Sequence, residues 1–287
     1  TVVIKDGATT IEEGAFRDCK NLTSITIPAS VTKIGDYVFE NCKSLASLTL
    51  PASVTNIGEE VFSGCSTLAR IEVDSENQNY TSLDGVLFSK DLTKIIRYPE
   101  GRSGDYTIPS NVTIIGNFAF KGCAGLTNVI IPNSVTSIGD WAFSGCSSLT
   151  SVTIPNGVTY IGYGVFLKCE NLTDVVVPNS VNKMNNMVFC DCKNLKNVTL
   201  SSNLKSIQYG TFGGCAALET IEIPYSVTCI DETAFASCSS LKSIVIPDSV
   251  DKIWVSAFSN CTSLAKVVIG NGATIINERA FNGCTAL

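Results

Sequence analysis

The residues best able to do chemistry in this sequence are its thirteen cysteines, a large number for 287 residues. Such a number is typical of a disulfide framework or of a zinc site, in which thiolates converge on one metal ion. Eleven of them, however, share one position of a repeating pattern, three residues after a phenylalanine: Cys19, Cys42, Cys65, Cys123, Cys146, Cys169, Cys192, Cys215, Cys238, Cys261 and Cys284. Only Cys190 and Cys229 lie elsewhere. These two are either exposed, reactive thiols or substitutions at tolerant surface positions.

The spacing of the phased cysteines comes from a 23-residue repeat. A phenylalanine marks it at Phe16, Phe39 and Phe62, and again at Phe120, Phe143, Phe166, Phe189, Phe212, Phe235, Phe258 and Phe281. Regular repetition with this period predicts a solenoid, in which each coil contacts only its neighbours. We therefore expect one elongated domain over residues 1–287, with about twelve coils and with its function on the surface rather than in a pocket.

The position of the cysteines within this repeat favours buried, free thiols. Coils stack at roughly the strand spacing of about 4.8 Å, so the phased sulfurs should form one internal column. In-register Cβ vectors point in the same direction, which is the wrong geometry for a disulfide between neighbouring coils. A single row of sulfurs also cannot surround a metal ion tetrahedrally. We interpret these residues as small hydrophobes, and we expect no metal and no cofactor.

The stretch from Ser134 to Asn156 shows the elements of one coil. Leu149, Val152 and Ile154 alternate with polar residues, which predicts a short strand facing the core. Pro155 ends that strand because proline cannot donate to a ladder. A second, shorter extended piece follows, and the A-F-x-x-C segment predicts one short helical or 3₁₀ turn, so the fold class is an α/β repeat solenoid with short parallel strands. Two residues after the phenylalanine, nine of eleven coils carry Gly, Asn or Asp, which predicts a left-handed residue there.

The array is interrupted once, between Phe62 and Phe120, which are 58 residues apart. Asp84-Gly85 within this interval is a hairpin signal. We predict an irregular coil at 74–107, anchored by Phe88, with a protruding loop at 101–105. Such an insertion either serves binding or is merely tolerated at the surface.

The composition argues against an enzyme. The sequence contains no histidine, which excludes Ser-His-Asp and Cys-His catalysis and histidine-ligated metals. Phosphate-binding and dinucleotide-binding glycine motifs do not occur either. Paired carboxylates can hydrolyse glycosidic bonds, and the candidates are Glu12-Glu13, Glu59-Glu60 and Asp231-Glu232. We interpret these pairs as solvated turn residues and predict no catalysis.

Charge and hydropathy limit the possible partners. The net charge is −6 and the isoelectric point is near 4.8, with Lys and Arg scattered, which argues against nucleic acid and against an anionic membrane surface. No apolar run approaches 18 residues, so we expect no membrane insertion within this segment. The chain begins and stops inside a repeat, which leads us to expect a piece of a longer protein.

A row of large apolar residues offers a candidate binding edge. It lies two or three residues before the phenylalanine in successive coils: Phe118, Trp141, Tyr163, Met187 and Tyr209. The same positions elsewhere carry residues such as Glu60 and Thr233, so the fold does not require apolar side chains there. The row forms either an exposed patch for a partner or a glycan, with Trp141 and Tyr163 at its centre, or a dry seam between coils.

The repeat pattern L-x-x-[VI]-x-[IVL]-P-x-x-V-x-x-I-G-x-x-[AV]-F-x-x-C resembles the BspA-like leucine-rich repeats, and the irregular NYTSLDGVLFSKD unit resembles one that this family also contains. The resemblance covers essentially the whole chain. It implies a right-handed leucine-rich-repeat superhelix at the cell surface or secreted, with adhesion to host or partner macromolecules.

Three functions are compatible with the sequence. The first is a non-catalytic binding module of an extracellular adhesin, which takes a protein or glycan ligand outside the cell. The second is a dedicated glycan-binding module, which an exposed aromatic row would favour. The third is a structural spacer that displays another domain. We expect the chain to be a monomer.

Overall fold

The computed structural model describes all residues 1–287 and shows a solenoid of stacked, mostly parallel strands. In chain order the strands are β1 (Val2–Val3), β2 (Thr10–Ile11), β3 (Ile25–Thr26), β4 (Lys33–Ile34), β5 (Ser47–Leu50), β6 (Asn56–Ile57), β7 (Arg70–Val73), β8 (Tyr80–Leu83), β9 (Val86–Ser89), β10 (Lys94–Arg97), β11 (Gly104–Thr107), β12 (Ile114–Ile115), β13 (Leu126–Ile130), β14 (Ser137–Ile138), β15 (Ser151–Thr153), β16 (Tyr160–Ile161), β17 (Asp174–Val176), β18 (Lys183–Met184), β19 (Asn197–Thr199), β20 (Ser206–Ile207), β21 (Cys229–Ile230), β22 (Ser243–Ile246), β23 (Lys252–Ile253), β24 (Lys266–Ile269) and β25 (Ile275–Ile276). The predicted pair of strands in each regular coil is thus largely confirmed.

The strands form two rows, because coils stack in register. Val152 of β15 pairs with Val175 of β17, 23 residues on. The first row divides into sheets β1-β3, β5-β7, β11-β13-β15-β17-β19 and β22-β24, and the second row into β2-β4-β6, β8-β9-β10-β12-β14-β16-β18 and β20-β21-β23-β25. Inward residues of both rows, such as Val152 and Ile161, are buried.

The third side of each coil is a hydrogen-bonded turn and not the predicted helical or 3₁₀ turn. Every second N–H donates to the next coil: that of Phe16 bonds the carbonyl of Val38, while those of Ala15 and Arg17 bond three residues back. Successive i→i+3 bonds, which define a 3₁₀ helix, therefore cannot form. The structure has no helix of any kind, and so no helix able to span a membrane.

Left-handed residues bound this turn on both sides. The predicted one, two residues after the phenylalanine, has φ between 57° and 77° in all eleven coils, including those with Lys168 and Ser237. A second left-handed residue stands two residues before the phenylalanine, and the sequence did not reveal it. These two left-handed residues are four positions apart, and a right-handed helix cannot continue through either of them, which accounts for the absence of a helix.

The core is a column of phenylalanine rings flanked by thiols. Neighbouring rings stack with centroids 4.7 to 5.9 Å apart. The ring of Tyr98 stacks on Phe120 at 5.1 Å and fills the column position left by the irregular coil. All thirteen cysteines are free, and nine of the eleven phased ones are buried. The exceptions are Cys19, which is exposed, and Cys284, which is partly buried, because each lies near one end of the stack.

The irregular coil contains the predicted hairpin. Strands β8 and β9 are antiparallel, and Asp84 and Gly85 between them are both left-handed, with φ of 50° and 74°. Phe88 is fully buried, as predicted. The loop is shorter than predicted, because Gly104 and Asp105 belong to β11 and bond β13.

A buried ion pair joins the irregular coil to both neighbouring turns. Arg97 bonds the carboxylate of Glu100, and its guanidinium also donates to the carbonyl oxygens of Phe62 and Phe118. Glu100 in turn accepts from the N–H of Gly64 at 2.8 Å. Buried apolar side chains form two clusters that meet within this coil, since Phe88 and Tyr98 belong to one and Leu87 to the other.

Candidate binding edge

The left-handed position before each phenylalanine is where the fold places Phe118, Trp141 and Met187, whose φ angles are 56° to 57°. Tyr163 and Tyr209 stand one residue earlier, beside Gly164 and Gly210, which occupy the left-handed position in their coils. All eleven coils have this conformation, with a polar or charged residue in four of them: Glu60, Thr233, Ser256 and Arg279. The coil therefore imposes the backbone but not the side chain: Tyr37 is also aromatic at this position, and what is specific to residues 118–209 is a large side chain in successive coils.

Trp141, Tyr163 and Met187 form one continuous contact. The Trp141 and Tyr163 ring centroids are 4.9 Å apart at 43°. The hydroxyl of Tyr163 donates to the Met187 sulfur at 2.8 Å. Backbone bonds connect the same coils, since the N–H of Trp141 donates to the Tyr163 carbonyl at 2.7 Å. These three side chains are half-buried, so the edge has an exposed outer surface and a packed inner one.

The glycines of this edge make room for the side chains of the preceding coil. A Cβ on Gly164 would lie 2.8 Å from Cε3 of Trp141, which is too close for a real contact. A Cβ on Gly210 would lie 3.2 Å from Cγ of Met187. Gly164 thus leaves room for the Trp141 ring, whereas Gly210 faces a flexible side chain that is less close.

The other two predicted residues lie at the ends of this contact. The ring of Phe118 lies 5.3 Å from the Lys121 ammonium and lines a cavity of about 250 Å³. Tyr209 is 39% exposed and, with Met187, borders a shallow groove of about 260 Å³. The five residues therefore make a packed centre with two distinct ends rather than one uniform aromatic surface.

The two cysteines outside the column are not activated thiols. Burial raises the pKa of Cys190 to about 11, and burial also raises the pKa of Cys229. The indole N–H of Trp254 donates to the Cys229 sulfur at 2.9 Å. Both thiols stay protonated at neutral pH, which lowers their reactivity.

The carboxylate pairs do not converge on a common site. Glu12, Glu13, Glu59 and Glu232 are exposed. Glu60 bonds the Lys121 ammonium and accepts from the hydroxyl of Ser63. No group of three or more Cys, Asp or Glu side chains is arranged to hold a metal ion.

Sequence reasoning missed an aromatic residue on the strand face. Tyr225 is 79% exposed, more than any other large apolar or aromatic side chain. It follows Pro224, at a position that carries Asn in four coils and Ala in two: Asn133, Asn156, Asn179, Asn271, Ala29 and Ala52. An aromatic residue at a position that is otherwise small or polar was the one sign of this exposed side chain in the sequence.

Comparisons with known proteins agree with this architecture. A family model for the BspA type leucine rich repeat region matches six copies, over residues 1–101, 102–215 and 165–287. Among curated proteins, none matches this chain.

Solved structures of bacterial repeat proteins share the fold. A leucine-rich repeat protein from Eubacterium ventriosum ATCC 27560 is 25% identical, with a TM-score of 0.70 over 98% of this chain and 82% of the other. One from Bacteroides ovatus ATCC 8483 is 27% identical, with a TM-score of 0.56 over 100% and 85%. A leucine rich cell surface protein from Faecalibacterium prausnitzii A2-165 is 32% identical, with a TM-score of 0.50. The match covers 93% of this chain but only 59% of that protein. The family match over the whole chain shows that this protein belongs to the BspA-type leucine-rich-repeat family.

Proposed function

We propose that this chain is a non-catalytic binding module at the cell surface or in a secreted protein, and that it binds a protein or glycan ligand outside the cell. The proposal includes a single monomeric domain over 1–287, wound as a right-handed superhelix. Its placement outside the cell is supported by the 32% identical cell surface protein.

One observation carries the site assignment. Trp141, Tyr163 and Met187 are joined in one contact at a solvent-facing edge, where four other coils carry a polar or charged residue. Neighbouring rings that are already ordered lose little side-chain entropy when a partner covers them. Aromatic residues with a polar tip also suit both protein and glycan partners. The edge is therefore preorganised for binding, and no cofactor takes part.

The test is a comparison of one double variant with a matched control. Trp141→Ala/Tyr163→Ala removes the centre of the edge, and Trp254→Ala removes an aromatic residue outside it. Each protein is measured against immobilised host matrix glycoproteins, the same proteins after enzymatic deglycosylation, and a printed glycan array. We expect the double variant to lose binding and the control to keep it, with melting temperatures reported for both.

The three panels separate the function classes. Binding that survives deglycosylation identifies a protein ligand, whereas binding to the array and loss on deglycosylation identify a glycan ligand. Failure to bind any panel supports the spacer. Binding that is unchanged in a folded double variant excludes the edge as the site.

A further inference from the structure

One interior turn lacks the hydrogen bonds that join the other turns to the next coil. In nine coils, the N–H groups two residues before the phenylalanine, at it and two residues after it donate to carbonyl oxygens of the next coil. Besides the last turn, at Phe281, the exception is the turn at Phe62. There the N–H groups of Glu60 and Phe62 make no hydrogen bond within the protein, and that of Gly64 bonds the carboxylate of Glu100 instead of a carbonyl. Phe62 is only 3% exposed, and folded proteins rarely leave such a buried N–H unpaired.

A cavity of about 250 Å³ lies at this turn. Its walls are residues 57–62 of one regular coil and 116–118 of the next, and the irregular coil between them adds Leu87, Lys94, Ile96 and Arg97. Because the irregular coil has no turn of the regular kind, a group can lie where the next turn stands elsewhere. The volume is just below that of pockets for drug-sized ligands, so it suits one small ligand or one side chain.

Further donors in the walls have no partner. Arg97 is 5% exposed, and its Nη atoms bond Glu100 and the carbonyls of Phe62 and Phe118, but its Nε has no partner. The amide N–H₂ of Asn117 makes no hydrogen bond, because the amide oxygen is the atom that accepts from the N–H of the next coil, at 3.0 Å. A buried donor that is left unpaired in this way marks a place where a ligand can accept a bond.

The residue type at 117 also favours a negative ligand. Asp36 and Asp140 accept the equivalent bond in their own coils, each at 2.7 Å and each with a carboxylate. Asn117 makes this bond with an amide, which removes one negative charge from the cavity wall and adds two donors.

The ion pairs around the cavity limit the charge that it can take. Glu60 is paired with Lys121, and Glu100 with Arg97, so Lys94 and Glu59 are the charges left in the walls. Glu59 opposes an anion, but it is exposed and solvent screens it. A ligand with one negative charge therefore fits better than a doubly charged phosphate.

We propose that this cavity binds a monocarboxylate with a short apolar body. The carboxylate accepts from the N–H groups of Glu60 and Phe62 and from Nε of Arg97, and the apolar body lies against Ile57 and Ile96. Glu60 has φ of 50°, and turns with a left-handed residue present N–H groups that form anion-binding concavities.

The chain itself shows the same recognition one step away, where the Glu100 carboxylate accepts the N–H of Gly64 at 2.8 Å. Charge-assisted bonds of this kind are stronger than neutral ones. A free carboxylic acid and the glutamate side chain of a partner protein offer the same chemistry. The site borders Phe118 at one end of the edge, but it does not depend on Trp141 or Tyr163.

The test is an NMR titration of the ¹⁵N-labelled protein with hexanoate. We expect saturable shifts at the amides of Glu60 and Phe62 and at Nε of Arg97, with a dissociation constant on the order of 1 mM, as for a small ligand. Hexanamide, which has the same shape without the charge, and sodium chloride at equal concentration should give no saturable shift.

A second titration identifies the source of the carboxylate. It uses a blocked pentapeptide with one central glutamate and the same peptide with glutamine. Tighter binding of the glutamate peptide than of hexanoate supports the site with a partner protein as its ligand, and the reverse order supports it with a free acid.

Matched variants test the charges in the walls. Asn117→Asp should weaken hexanoate by about fivefold, and Lys94→Gln by about two- to fivefold, whereas Glu59→Gln should tighten it by about two- to fivefold. The control is Asn186→Asp, the same exchange at the equivalent position three coils on, which should leave binding unchanged. Asn117→Asp should fold normally, because Asp36 and Asp140 make the same bond.

Three results would overturn the proposal. They are the absence of saturable shifts at Glu60 and Phe62, equal shifts with hexanamide, and equal hexanoate binding by a folded Asn117→Asp variant. Either of the first two would mean that water alone satisfies these N–H groups. No variant here alters Trp141 or Tyr163, so failure of this site leaves the function proposed for the edge untouched.

Discussion

The thiol of Cys169 donates to the backbone carbonyl oxygen of Phe143, in the coil before its own, at 3.2 Å. Ten coils repeat this bond from cysteine to the aromatic residue of the preceding coil. The carbonyl that accepts it also accepts a turn N–H, so the thiol satisfies a second lone pair inside the core. The cysteine column thus supplies packing volume and a weak donor, which explains why an unreactive position carries a reactive residue type.

Thiol accessibility is the first prediction. In the native protein, a thiol reagent should modify Cys19 first, and Cys190, Cys229 and Cys284 more slowly, since the first is exposed and the others partly buried. The nine buried thiols should react only after unfolding, because the reagent cannot reach them. Mass spectrometry of the modified protein locates the labels. Rapid native labelling of central cysteines, or disulfides between coils, would contradict the column.

Alkaline pH should unfold the protein, and this is the second prediction. Burial raises the pKa of Cys65, Cys123 and Cys169 to about 12, whereas an unfolded thiol titrates near 9.0. Between these values the folded state keeps protons that the unfolded state loses, so stability is complete below pH 9 and falls as the pH rises. Each such thiol should remove about 1 kcal/mol per pH unit from the free energy of unfolding.

Denaturant unfolding at pH 8 to 10.5 measures this loss. The variant Cys169→Ala serves as the control, and its pH slope should be shallower than that of the wild type by about 1 kcal/mol per pH unit. Burial also raises the pKa of Tyr106 to about 12, but this residue destabilises the fold only when the pH rises above the ordinary tyrosine pKa of 10.0. If the unfolding free energy falls with pH equally steeply in both proteins, Cys169 does not contribute to the alkaline loss of stability.

The third prediction concerns the phenylalanine column. Phe166→Ala, in the middle of the stack, should cost roughly 3 to 5 kcal/mol of unfolding free energy, because it leaves a cavity among stacked rings. Phe281→Ala should cost much less, since this ring is only partly buried and has a neighbour on one side. Equal losses in denaturant titrations would argue against a stack in which coils depend on their neighbours.

The sequence predicts those features of the fold that depend on residue type. Alternation at Val152 and Ile154, and the Gly, Asn or Asp two residues after the phenylalanine, carry enough information to place strands and turns. The turn itself was assigned wrongly, because residues such as Trp141 give no sign of a left-handed backbone. That conformation is set by N–H groups that bond the next coil, which is a contact between distant residues.

The candidate site was predictable only in part. The row of large side chains at the edge is visible in the sequence, but the contact of Tyr163 with Met187 depends on how two coils stack. Residues 219–224 form no strand in the first row, between β19 and β22, and the sequence does not show this, because Ile221 and Ile223 alternate as a strand should. A missing pairing is a property of three coils together, and no single coil encodes it.

The fourth prediction tests the packing of the edge through Gly164. Gly164→Ala should cost about 1 kcal/mol for a left-handed alanine and about 1 to 3 kcal/mol more for overpacking against the Trp141 ring. Gly210→Ala is the matched control: it has the same position and a similar φ, but its neighbour Met187 is flexible and can move, so we expect only the first cost.

A double-mutant cycle completes this test. Trp141→Ala removes the ring that a Cβ at residue 164 would meet, so the double variant Trp141→Ala/Gly164→Ala should lose less stability than the sum of the two single variants. Thermal and denaturant unfolding of the four proteins give the coupling. Strictly additive losses would mean that the indole does not lie over Gly164. The packed position of Trp141, on which the proposed preorganisation of the edge depends, would then be wrong.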